Sequence, residues 1–406
     1  MASERGDNVI HVGGSKEVSE MNERRNQSAR IKRTGLIVVL FLLMVIGGVS
    51  AFVYLKLRNF RGYKVLHSAE TVFEANAEYL EFGENLLKYT PDGVSYIDSN
   101  GNIVWTAGVD LKVPIAKTNG DYAVVADRDG NLVAVFSVEG QVSSVNMPYA
   151  IRDVDVAKQG AFTAILESNS SNYINMYDKN GNIIYEIQTS IDKSGYPMDV
   201  SVSDDGKKLF TSYFKLDGVN IENNLTAYNF GEVGQNENAD RMVGGYSFDE
   251  EMIPKVDFVT NDIVAAFSDS KISLYTMKEK PSERGKIEYN GEISSVFYSG
   301  EYVGIIMPNS DAGSNADYVM HVYDLNCKKL FDYSFNMKYD KIHASDEELI
   351  ITGGNQCLII QKNGRTKFAY TFDTMIKSMI ATSRPNEYVV TFENRTEIIR
   401  LKIEDK

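Results

Sequence analysis

The stretch that decides the fold runs from residue 151 to 187: Ile151-Arg-Asp-Val-Asp-Val156, then Ala161-Phe-Thr-Ala-Ile-Leu166, Tyr173-Ile-Asn-Met-Tyr177 and Asn182-Ile-Ile-Tyr-Glu-Ile187. Each run is rich in β-branched and aromatic residues, and turn residues separate them, which is the pattern of short strands. Four strands in a period of about 40 residues are the mark of a propeller blade. The pattern recurs on both sides. Second strands begin at Leu86, Tyr122, Phe162, Leu209, Ile263, Tyr302, Leu349 and Tyr388, and third strands at Val94, Leu132, Tyr173, Leu225, Ile272, Val319, Leu358 and Ile398. The fold class is therefore all-β, an eight-bladed β-propeller. Seven blades is the alternative, because the first strand of the first unit is the weakest. The last unit ends after three strands, and Thr71-Val-Phe-Glu-Ala75 is the candidate to supply the fourth and close the ring. Closure removes the open edges that invite aggregation. Immunoglobulin-like sandwiches would need about 100 residues per unit, too long for this repeat.

Upstream lies a run without charge, Gly35 to Leu55. As a helix rising about 1.5 Å per residue it reaches roughly 30 Å, the thickness of a bilayer core. A cleaved secretory signal is the alternative, with Val49-Ser50-Ala51 as its cleavage motif, but the apolar run continues past it. Arg24, Arg25, Arg30, Lys32 and Arg33 precede the run, and Lys56, Arg58, Arg61 and Lys64 follow it. The denser cluster marks the cytoplasmic side, so the propeller is expected outside the membrane. The chain divides into a disordered cytoplasmic tail (1–34), a transmembrane helix (35–55), a stalk (56–70) and a propeller ectodomain (71–406).

The chain holds 42 basic and 56 acidic residues, net −14. The first 57 residues carry 8 basic and 5 acidic side chains, which leaves the remainder at net −17. An acidic exterior argues against nucleic acid and anionic lipid as partners. Two cysteines, Cys327 and Cys357, exclude a disulfide-stapled fold and read as buried thiols within strand patterns. Four histidines, His11, His67, His321 and His343, show no zinc-site spacing.

The turns Asp98-Ser-Asn-Gly-Asn, Asp127-Arg-Asp-Gly-Asn and Asp178-Lys-Asn-Gly-Asn, set between such strands, resemble those of WD-repeat and quinoprotein-type propellers. The plan of one span, a stalk and a degenerate propeller resembles a family of membrane-anchored proteins of unknown function from Gram-positive anaerobic bacteria. The resemblance implies fold and location and carries no catalytic residue.

These turns also suggest calcium loops, but position 12 of each is Val109, Val138 or Thr189, where such a loop needs a bidentate Glu. Tight hairpins explain them better. Quinone-type cofactor docking uses repeated tryptophans, and this chain has one, Trp105, in a fourth strand. His321 lies inside a strand and reads as structural. No cofactor, metal or catalytic residue is assigned.

Connections between second and third strands share one face with those that join successive blades. The long ones there run from Glu167 to Asn172, Lys215 to Asn224 and Pro308 to Asp317, joined by Asp249-Glu250-Glu251. A polar, flexible insertion, Gly231 to Asp240, lies on the opposite face. Scaffolds carry binding residues on such loops. The candidate binding residues are Asp217, Glu222, Asp249, Glu250, Glu251, Asp311 and Asp317. The expected function is a non-catalytic binding or scaffolding module for a protein, peptide or envelope ligand. The alternative is an extracytoplasmic hydrolase or lyase that uses the channel mouth. Converging ionisable groups with shifted pKa values in the channel would favour the enzyme, and an apolar channel the scaffold.

Overall fold

A computed structural model describes residues 60–70, 74, 76–192, 194–218, 220–237, 239–311 and 313–403, together with residues 21, 39 and 41–48 of the N-terminal region. The chain splits into two units, 1–58 and 59–406. In the first, Val39 and residues 41–48 are helical, and Phe41, Leu42, Leu43 and Met44 are exposed. Among the described residues no helix is long and apolar enough to cross a membrane, and the remainder of the expected span lies outside them.

The second unit contains eight four-stranded antiparallel sheets. Blade 1 comprises Glu78–Phe82, Asn85–Thr90, Gly93–Ile97 and Ile103–Gly108; blade 2, Pro114–Asn119, Tyr122–Asp127, Leu132–Ser137 and Gly140–Asn146. Blade 3 comprises Ala150–Val156, Phe162–Glu167, Asn172–Tyr177 and Ile183–Thr189; blade 4, Tyr196–Val202, Lys208–Asp217, Asn220–Asn229 and Met242–Asp249. Blade 5 comprises Lys255–Thr260, Ile263–Phe267, Lys271–Thr276 and Ser282–Glu288; blade 6, Ser295–Tyr298, Tyr302–Pro308, Tyr318–Asp324 and Lys329–Phe335. Blade 7 comprises Lys341–Ala344, Glu348–Gly353, Gln356–Gln361 and Thr366–Thr371. Blade 8 takes Ile376–Ala381, Glu387–Phe392 and Arg395–Lys402 from the C-terminal end and Gly62–Glu70 from the N-terminal end.

All eight expected second strands and all eight third strands are found, so the count is eight and the seven-bladed alternative falls away. The closing strand is N-terminal as expected, but it is Gly62–Glu70, inside the segment read as a stalk. Of the expected closing strand Thr71 to Ala75, all but Glu74 lie outside the described residues. The physical reason is pairing: Gly62 to Glu70 meets Lys402 to Arg395 residue by residue, save one bulge at Val65/His67. Tyr63 then packs on Tyr370 and Phe372, with ring centroids 5.1 and 5.2 Å away.

Second and third strands are buried on both faces, so apolar cores form between blades. Among the described residues there are eight such clusters, one for each interface around the ring. The cluster joining blades 2 and 3 holds Val124, Val133, Val154, Phe162 and Leu166. Among the described residues the one at the seam between blades 8 and 1 is the smallest: Ala77, Tyr79, Leu86, Ile97, Ile380 and Val389. In blades 1 to 7 the register slips where the third strand meets the fourth. Each slip adds twist to the outer strand.

The Asp-x-Asn-Gly-Asn turns of blades 1 and 3 are tight hairpins. Asp98 Oδ1 accepts from the amides of Asn100 and Asn102 at 2.8 Å, and Asp178 Oδ1 repeats this at 2.9 Å with Asn180 and Asn182. Gly101 and Gly181 follow at φ of 81° and 86°, a left-handed conformation that suits glycine. The third such turn, at Asp127, joins second to third strand and lies on the opposite face. The carboxylate of Asp127 accepts from the amides of Lys112 and Val113, at 2.8 and 2.9 Å. Two readings are corrected here. The insertion after Gly231 contains a helix, Glu232–Glu237, with Val233 against the core between blades 4 and 5. Cys327 sits in a turn, at φ 63°, and only Cys357 is in a strand; both are free thiols.

Candidate functional site

The first strand of each blade pairs with only one neighbour in its sheet, and the first strands of adjacent blades lie against one another around the axis. Their outer amides therefore need partners from outside the sheet. Blade 3 supplies one: Asp155 Oδ2 accepts from the Val202 amide at 2.8 Å and from Ser201 Oγ at 3.0 Å, both on blade 4. Blade 4 repeats the device on blade 5. Asp199 Oδ2 accepts from the Val256 amide at 2.8 Å, and Ser201 Oγ accepts from the Phe258 amide at 3.0 Å. On blade 5, Lys255 Nζ is 2.5 Å from Asp257 Oδ2.

These groups form an electrostatic cluster with Lys117, Asp153 and Tyr298. Burial raises the pKa of Asp155 to about 6, against the pull of Lys117. Burial also lifts Asp199 well above the usual carboxylate range, opposed by Lys255 and assisted by Asp257. Burial depresses Lys117, but Asp155, Asp257, Asp153 and Asp199 outweigh it and its pKa rises. Lys255 is raised in the same way, chiefly by Asp257. The Tyr298 hydroxyl is raised by burial and by Asp257. Elsewhere on the first strands, Lys341 Nζ of blade 7 is 2.5 Å from Glu78 of blade 1, and His343 Nε2 is 3.2 Å from Glu81.

Converging ionisable groups are thus present, the observation named above as favouring an enzyme. Their bonding gives them a second role. Ser201 Oγ donates to Asp155 of blade 3 and accepts from the Phe258 amide of blade 5, so this hydroxyl links three blades. His321 bonds Asp332 at 2.6 Å within blade 6. Among the described residues no three His, Cys, Asp or Glu side chains are grouped to hold a metal. The channel cluster escaped the sequence reading, although its signal was present: charged or hydroxyl residues two apart around a valine, in Asp153-Val-Asp155, Asp199-Val-Ser201 and Lys255-Val-Asp257.

The seven expected binding residues divide into two groups. Glu222 and Asp249 are cross-strand partners on blade 4, and the Glu250 amide donates to Ile221 O at 2.9 Å. Asp217 pairs with Asn220 at the tip of the same hairpin. Glu251 is a correction: it is 8% exposed and its carboxylate is 2.6 Å from Lys271 Nζ. A buried, ion-paired carboxylate is not offered to a ligand. Asp311 and Asp317 belong to blade 6, two blades away, where Asp311 Oδ1 accepts from the Gly313 amide. The Lys215–Asn224 segment is itself a correction. It is the end of a β-hairpin, with Lys215 opposite Glu222 and Leu216 opposite Ile221.

The eight sheets define a closed β-propeller with a charged inner wall. The chain belongs to a family of unknown function, DUF5711, whose pattern matches residues 56–401. No curated protein matches it by sequence. Among solved structures it is similar to BamB from Moraxella catarrhalis, at 12% identity and a TM-score of 0.49, covering 84% of this chain and 100% of that one. The Pan2 WD40 domain of Neurospora crassa is similar at 8% identity and a TM-score of 0.43, covering 86% and 98%. Kluyveromyces lactis Hsv2 is similar at 10% identity and a TM-score of 0.47, covering 73% and 98%. At these levels the fold assignment rests on the chain's own sheets.

Proposed function

We infer that this protein is a membrane-anchored, extracytoplasmic propeller that acts as a non-catalytic binding or scaffolding module for a protein, peptide or envelope ligand. The observation that carries this reading is the use made of the channel carboxylates. Asp155 and Asp199 hold amides of the next blade, and Asp257 is paired with Lys255. Groups spent on joining blades are structural, and recognition is left to the loops of the outer faces. The second reading, a hydrolase or lyase at the channel mouth, draws on the raised Asp155 and Asp199 as acid–base candidates. The uncharged run Gly35 to Leu55 and the cationic residues before it support the anchor and its orientation.

The test is photocrosslinking in living cells from residues on both faces, Asn220 and Asp249 on one and Glu232 on the other. Recurrent capture of one partner from the first face, with protease on wall-stripped cells removing the propeller, is the expected result. A propeller fully protected from protease overturns the location. Loss of a hydrolytic activity in Asp155→Asn or Asp199→Asn, with capture unchanged, overturns the non-catalytic reading.

A further inference from the structure

The strands Lys208–Asp217 and Asn220–Asn229 are each 10 residues long, longer than any other strand in the propeller. Pairing with the first strand of blade 4 ends at Tyr196 opposite Phe214, and pairing with the fourth strand ends at Asp249 opposite Glu222. Beyond those points the hairpin stands clear of the sheet as a two-stranded ribbon. Such a ribbon is marginal alone and adds nothing to blade closure. Two connections brace its base. A Cβ placed on Gly195 would lie 2.6 Å from Phe214 O, so the turn holding Ile191 packs against one strand. The Glu250 amide bonds Ile221 O on the other.

This crest exposes apolar side chains. On the ribbon itself Leu216 is 62% exposed; Ile191 in the bracing turn is 58% exposed, and Met252 in the connection after Glu250 is 37% exposed. Asp192 is in the same turn as Ile191, and Asp249 and Glu250 lead into Met252; among the described lysines, Lys215 pairs with Glu222 at 3.6 Å and Lys271 with Glu251 at 2.6 Å. Exposed apolar side chains on a raised ribbon and on the two connections at its base, with carboxylates in those connections, suit a complementary protein surface. The geometry points to one occupant: a positively charged segment of a partner protein that presents aliphatic or aromatic side chains between its lysines and arginines. Anionic lipid is disfavoured by the same carboxylates. The inference rests on the binding-module reading above and names the chemistry of its ligand.

The test uses the full-length chain in nanodiscs of zwitterionic lipid and a fluorescent peptide in which lysines flank a Leu-Phe-Leu core. Two matched peptides replace the lysines by glutamate or the core by serine. The cationic apolar peptide is expected to bind with salt-sensitive affinity. Leu216→Ser with Ile191→Ser, and separately Asp249→Lys with Glu250→Lys, should each weaken it about tenfold or more, a loss of roughly 1.4 kcal/mol. Glu232→Lys with Glu237→Lys on the opposite face should leave it unchanged. Equal binding of the glutamate peptide, no effect of the crest substitutions, or crest-dependent binding to phosphatidylglycerol vesicles overturns the inference. If the crest substitutions are silent while crosslinking from Asn220 and Asp249 still captures a partner, this chemistry is wrong and the binding-module reading stands.

Discussion

Asp155 reaches from blade 3 to the amide of Val202 on blade 4, 2.8 Å away, and so ties two blades together at the wall of the channel. Burial raises its pKa from 3.8 to about 6. A carboxyl group with a raised folded-state pKa favours folding when protonated. That stability is complete below the unfolded value and is lost as pH rises through about 6. Asp199 acts in the same direction. The contribution of Asp155 to stability should therefore fall between pH 4 and pH 7, by at most about 3 kcal/mol. Asp155→Asn keeps an acceptor for Val202 and should flatten this dependence, whereas Asp155→Ala should cost about 1–3 kcal/mol through the unpaired amide. Melting curves of the native chain and of Asp155→Asn across the pH range decide it; a stability of the native chain that rises relative to Asp155→Asn from pH 4 to 7 contradicts the raised pKa.

Lys117 tests the same cluster from the cationic side. Four channel carboxylates raise its pKa, led by Asp155. Lys117→Met removes the compensating charge and should destabilise the propeller by about 3 kcal/mol near neutral pH. The loss should shrink at pH 5, where Asp155 is protonated. A loss independent of pH would point to packing alone.

The strands were legible in the sequence because second and third strands are buried on both faces and carry almost unbroken apolar runs, as in Tyr122-Ala-Val-Val125. The closing strand was misplaced because Gly62–Glu70 is mostly exposed, so its polar residues conceal its pairing with Arg395–Lys402. Its Lys64, His67 and Ser68 read as a stalk. The channel cluster was hidden for another reason. Asp155 and Val202 are 47 residues apart, and no local pattern reveals that a carboxylate meets an amide of the next blade. Glu251 looked like its exposed neighbours Asp249 and Glu250, and only the approach of Lys271 buries it.

Closure by Gly62–Glu70 predicts a specific failure. Removing residues 60–70 should bare the outer edge of blade 8 and release Tyr63 from Tyr370 and Phe372. Among the described residues the seam between blades 8 and 1 has the smallest apolar core, and it should open first. Hydrogen exchange on the deleted protein should accelerate in residues 376–402 and 78–97 before other blades. Uniform exchange, or an unchanged melting temperature, would show that the strand is dispensable.

Cys327 occupies a position with φ 63° in a turn where Asp324 Oδ1 accepts from the amides of Asn326 and Lys328 at 2.9 Å. Blades 1 and 3 use glycine at the equivalent position. Cys327→Gly should be neutral or stabilising by up to about 1 kcal/mol, since a left-handed residue with a Cβ costs about that much. Its sulfur also fills the space beside Gly285, where an added Cβ would lie 2.8 Å from it. Gly285→Ala should therefore destabilise the native chain and cost less when combined with Cys327→Gly. Additive effects in denaturant titrations would exclude that contact.

Trp105 is the one tryptophan, so intrinsic indole fluorescence reports a single place. Its ring stacks between Tyr96 and Phe136, with centroids 5.7 and 5.5 Å away, and its indole N–H donates to Val138 O at 3.0 Å. Tyr96 belongs to blade 1, Phe136 to blade 2, and Val138 follows in the turn of blade 2. The emission should be blue-shifted in the native protein and should move to the red only when the interface between blades 1 and 2 separates. In the intact chain that shift should coincide with loss of the far-ultraviolet circular dichroism, because a closed ring unfolds as a unit. In the chain lacking residues 60–70 the dichroism should begin to change at lower denaturant than the fluorescence, since the opening starts at the neighbouring seam. Trp105→Phe keeps the stacking and loses the hydrogen bond, and should cost about 1 kcal/mol. Coincident transitions in the deleted chain would place the weakest interface somewhere other than the seam of blades 8 and 1.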